Sequence, residues 1–181
     1  MPARRRPPST PALDALSGTE HARILAELLT SHPELESEAE DAARRLLDDA
    51  SVDAIAESVA WALEELPLDA LAMRSGRIRG RGYVHETEAA WQILEEAVEP
   101  FLAEMRRCAS LGLGAAVDVT AGIVAGLYRC REPEDGTVVA YAGPDSLSEL
   151  AAEVINEANR LGLVLSPDVA DQLWPDWSPS A

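Results

Sequence analysis

Leu111–Tyr128 reads LGLGAAVDVTAGIVAGLY, and the fold turns on how this stretch is placed. It is almost wholly apolar and holds Gly122 and Gly126 four residues apart. A bilayer needs about 20 such residues in a row, and the run barely reaches that length. Asp118 also falls in its middle, where a charge would be costly in lipid. The stretch is therefore read as a buried core helix. Its small residues let a neighbouring helix approach closely.

Helical signals continue on both sides. Upstream, Thr87 is expected to cap a long helix carrying Trp91, Leu94, Val98, Leu102 and Met105, which Pro100 should kink or restart. Gly112 and Gly114 form the turn between the two helices. Downstream, TVVAY (137–141) interrupts the helical pattern as a short extended piece. Asp145 then caps a helix with Leu147, Leu150, Val154, Ile155 and Leu161, which Gly162 closes. SPDVADQLW (166–174) reads as a last short turn.

Toward the N-terminus, Ser17 and Glu20 have capping-box spacing, and Ile24, Leu25, Leu28 and Leu29 follow as an apolar stripe. Pro33 opens the next helix, which is expected to turn Leu35, Ala39, Ala42, Ala43, Leu46 and Leu47 inward. Ser51 starts a third, with Val52, Ile55, Val59, Leu63 and Leu66 on one face and Pro67 at its end. LDALAMR (68–74) is a short fourth. The pattern is that of an all-α protein, an irregular array or bundle of antiparallel helix hairpins with no exact repeat.

Within 181 residues this predicts one helical domain over residues 17–174, an Arg/Pro-rich disordered tail at 1–16 and a flexible end at 175–181. A net charge of −17 argues against general affinity for nucleic acid or anionic membranes. The N-terminal arginines are followed by no apolar run, so no signal peptide is read there and a cytoplasmic setting is expected. All 15 cations are arginine.

Charge is uneven along the chain. Thr19–Leu71 has a net charge of −11, whereas Ala72–His85 has a net charge of +4. The basic segment holds Arg74, Arg77, Arg79 and Arg81, followed by Tyr83 and His85. It is read as an extended segment between helices with three possible uses. The arginines brace acidic helices, or bind a phosphate, a nucleic acid or an acidic peptide with Tyr83 free to stack, or are simply solvated. Bracing leads, because acidic helix faces abound and no second basic patch extends the footprint.

No spacing supports a catalytic constellation. His85-Glu86 begins like HExxH, but alanine stands at position 89 where the second zinc ligand belongs. His21 and His32 are eleven residues apart, with no cysteine near, so no metal is expected. GLGAAV (112–117) follows a helix and lacks both the third glycine and the lysine of a phosphate loop. In a helix hairpin Cys108 and Cys130 would be offset by roughly 20 Å at a rise of ~1.5 Å per residue, beyond disulfide reach, so both are read as free thiols. Asp118 is expected to find an arginine partner, since an unpaired buried carboxylate is costly.

Arg74-Ser75-Gly76, Gly82-Tyr83-Val84, Glu88-Ala89-Ala90-Trp91 and Pro100-Phe101 resemble stretches of an uncharacterised prokaryotic all-helical family, some of whose members carry SWIM-type zinc fingers. The likeness covers roughly residues 22–162. It implies a helical fold and assigns no catalytic residue. Two cysteines 22 residues apart cannot supply the CxC and C-x-H pairs of such a finger. The expected function is a non-catalytic interaction or adaptor module for a protein partner, without a cofactor. Association with nucleic acid or phosphate through the arginine segment is the alternative, and no membrane role is expected.

Overall fold

A computed structural model describes residues 11–78 and 82–175. Contacts divide the chain into two compact units, Met1–Arg45 and Leu46–Ala181, and the expected domain over residues 17–174 spans both. The chain is all-α, with a two-stranded sheet as a minor element among the described residues.

The first unit begins with a single turn, α1 (Pro11–Asp14), inside the stretch expected to be disordered. Residues 1–10 lie outside the described residues. The capping box forms as read at the start of α2 (Gly18–Ser31): Ser17 Oγ accepts from the Glu20 amide, and Glu20 Oε2 accepts from the Ser17 amide at 2.8 Å. Pro33–Leu35 forms a 3₁₀ turn rather than the first α-turn, and α3 (Glu36–Leu47) follows. The expected inward face is not buried. Neither α2, the 3₁₀ turn nor α3 contains a buried residue.

In the second unit α4 (Val52–Glu64) starts at Ser51, whose hydroxyl accepts from the Ala54 amide. After α5 (Leu68–Arg74), β1 (Gly76–Ile78) and β2 (Gly82–Val84) pair antiparallel, with Arg77 opposite Tyr83. The segment expected to be a loop is thus partly a hairpin. Gly76 and Gly82 adopt φ of +86° and +89°, which glycine reaches without strain.

Then come α6 (Glu86–Ser110), α7 (Ala115–Arg129), α8 (Val138–Ala142), α9 (Ser146–Arg160) and α10 (Pro167–Leu173). Helix α6 runs for 25 residues through Pro100, with no restart there. Ile93, Leu94 and Val98 before the missing N–H and Met105 and Cys108 after it are buried, so packing is present on both sides of Pro100. The expected extended piece is instead α8. Thr137 Oγ1 caps it by accepting from the Ala140 amide, and Val138, Val139 and Ala142 are buried.

Helix α7 is the core helix read from its sequence, with eleven buried residues, and α4, α6 and α9 pack around it. Gly122 and Gly126 face α4. A methyl group at Gly122 would lie 2.6 Å from Ile55 Cβ, and one at Gly126 would lie 2.6 Å from Val59 Cβ and 2.8 Å from the Ala56 carbonyl oxygen. The contacts advance together along both helices, from Val52 and Ile55 at Gly122 to Val59 at Gly126 and Ala60 at Cys130. The pair therefore runs parallel. Among the described residues, no helix is long and apolar enough to cross a membrane.

Candidate functional site

The arginine segment spans the end of α5, the hairpin and the start of α6. Arg74, the last residue of α5, ion-pairs with Glu96 of α6 at 2.7 Å, so here an arginine does brace an acidic helix. Arg77 on β1 is exposed and makes no ion pair with any described residue. Tyr83 stands opposite it on β2 and is 72% exposed, while its neighbour Val84 is buried. Successive strand residues point to opposite faces, so Val84 anchors one side of the hairpin and leaves Arg77 and Tyr83 together on the other. Arg79 and Arg81 lie outside the described residues.

His85 is the N-cap of α6, in the place expected for Thr87. Its Nδ1 accepts from the Thr87 amide at 3.4 Å. One ring nitrogen is therefore committed to the helix end. The extended backbone at His85 follows directly from β2, which is why the cap precedes Thr87.

Asp118 is separate from this group. It lies in the first turn of α7 and is partly exposed, and no arginine pairs with it among the described residues. Three arginines that could have paired with it are engaged elsewhere. Arg106 binds Glu99 and Glu157, Arg107 binds Glu104, and Arg129 binds Asp53. Asp118, in the first turn of α7 and open to water, needs no ion-pair partner.

Two polar arrangements join residues far apart in sequence. Asp48 Oδ1 accepts from the Ala115 amide at 2.8 Å and so caps α7, where Gly114 has no side chain to do so. Arg106 makes a bidentate pair with Glu157 at 2.6 and 3.1 Å and reaches Glu99 at 2.7 Å, tying α6 to α9. The Arg106 hydrogen bonds hold the Glu157 carboxyl below its ordinary range and raise Arg106 itself.

A cavity of about 490 Å³ is lined by Leu63, Glu64, Arg129, Cys130, Glu134 and Thr137, among others. Its thiol is not poised for attack. Burial pushes Cys130 up to about 11, and its Sγ–H points to the Ala60 carbonyl at 3.8 Å. Cys108 is also buried and free, and burial raises it too. Among the described residues, no three His, Cys, Asp or Glu side chains are grouped to hold a metal ion.

Comparisons with protein-family models, curated proteins and solved structures find no match.

Proposed function

We propose that the protein is a non-catalytic, cytoplasmic interaction module that engages a protein partner through its helix faces. What supports this most is the first unit. The stripe Ile24, Leu25, Leu28 and Leu29 has the spacing of a packed helix face, yet Leu25 and Leu28 remain 51% and 49% exposed. Full burial of such a side chain is worth about 1.5–3 kcal/mol, and a half-exposed leucine forgoes roughly half of that. An amphipathic helix laid into a partner's groove uses this spacing of anchors. Glu36, Glu38 and Asp41 on α3, which make no ion pair among the described residues, add negative charge to the same unit. The resemblance to an uncharacterised helical family belongs to this proposal and brings no activity with it.

The test is site-specific photo-crosslinking from positions 25 and 28 in extract from the native source. A position on α9 serves as the control. A discrete protein adduct from 25 and 28, lost when Leu25 and Leu28 are both changed to glutamate, is expected. Adducts equally abundant from the α9 position, or none from 25 and 28, would overturn the reading.

A further inference from the structure

We infer that the outward face of the β1–β2 hairpin binds single-stranded nucleic acid, with Tyr83 stacking on a base and Arg77 contacting the adjoining phosphate. This surface is distinct from the apolar stripe of the first unit. Three observations carry it. First, Arg77 and Tyr83 are directly opposite in the register, so their side chains share one face. Second, both are exposed, whereas Arg74, Arg106, Arg107 and Arg129 are spent on carboxylates within the fold. Third, Ala72–His85 contains four arginines and no acidic residue in a chain of net charge −17.

The chemistry selects the ligand. An exposed tyrosine ring is a platform for an unstacked base of any identity, and a guanidinium beside it takes a phosphate oxygen. A duplex keeps its bases stacked and offers the ring nothing. An acidic peptide would engage the arginine and leave Tyr83 idle. The acidic bulk of the chain does not forbid binding, because screening limits its reach to about 8–10 Å at 0.1–0.15 M salt. Glu86 and Glu88 follow at once in α6 and bound the footprint, which makes it short, on the order of one or two nucleotides.

The test is fluorescence anisotropy of a labelled oligothymidylate titrated with the full chain across a salt series. Tyr83→Ala is expected to weaken binding roughly 5- to 150-fold, and Tyr83→Phe to leave it near native, because stacking needs the ring and not the hydroxyl. Arg77→Ala should make the plot of log K against log salt shallower by about 0.7, the change for one phosphate contact on a single strand. Both side chains are exposed, so circular dichroism of the variants should match the native protein. No binding at the lowest salt, or binding that both alanine variants retain in full, overturns the inference. So does displacement of the oligonucleotide by polyglutamate as readily as by unlabelled oligothymidylate, which makes the face a site for acidic peptides.

Discussion

Replacing Gly126 by alanine sets two effects of known sign against each other. In an open helix the change adds stability, about 1 kcal/mol by propensity. Here the new methyl would sit 2.6 Å from Val59 Cβ and 2.8 Å from both Val59 Cγ1 and the Ala56 carbonyl oxygen. Ordinary carbon contacts lie at about 3.5–4.0 Å, so α4 must retreat by about 1 Å. A retreat of that size forfeits a quarter to a half of each contact along the α4–α7 seam. Overpacking of this kind costs about 1–3 kcal/mol, and against backbone atoms the upper part of that range applies. The expected net loss is about 1–2 kcal/mol, or roughly 2–8 °C in Tm for a chain of this length. Urea unfolding followed by circular dichroism reads it directly. Gly122→Ala meets Ile55 in the same way, and the double variant should lose less than the sum, since one retreat relieves both clashes. Gly18→Ala, with no atom within 4 Å, should be neutral or slightly stabilising. A Gly126→Ala protein as stable as the native one would refute the seam.

Asp48→Ala should destabilise by about 0.5–2 kcal/mol in chemical denaturation by uncapping α7, and Asp48→Asn should keep most of that stability. Glu157 is held below its ordinary range, so its pairing with Arg106 stabilises the fold above about pH 4.3 and is lost as pH falls through the lowered value. Arg106→Met should flatten this acid limb in a series of denaturant melts at stepped pH, and an unchanged limb would mean the pair contributes nothing. Neither Cys108 nor Cys130 should react promptly with a thiol reagent at mildly alkaline pH in the native protein, because both are buried and raised, whereas both should react in denaturant. Prompt native labelling of Cys130 would show that the α4–α7 junction opens.

What the sequence makes legible here is what one helix can encode by itself. The apolar run with its two glycines yields α7 and its close neighbour, and Ser17 with Glu20 yields the start of α2. Errors arise where partners far away decide the outcome. The β-branched residues of TVVAY favour extension, but the Thr137 cap and burial of both valines favour α8. The hairpin is hidden because its strands are three residues long and each begins with glycine, and it forms where Val84 gains burial. The candidate site divides in the same way. Arg74 acts as the expected brace, whereas the partner foreseen for Asp118 is absent among the described residues because the nearby arginines have carboxylates of their own. Asp48 capping Ala115 and Arg106 clasping Glu157 are separated by 67 and 51 residues, and no local pattern announces such pairs.

The parallel pairing of α4 with α7 also governs how the second unit assembles. Contacts across it join residues 70 and 76 positions apart, so the chain between them must be gathered into a loop before the glycines can meet their neighbours. Closing such a loop costs roughly 1.7 kcal/mol more in entropy than closing one of ten residues. Helices α6 and α7, adjacent in sequence, can associate early with little such cost, and α4 docks onto a surface already formed. The groove that receives it is then filled late, after the rate-limiting step. Mutations at Val59 or Gly126 should accordingly speed unfolding far more than they slow folding.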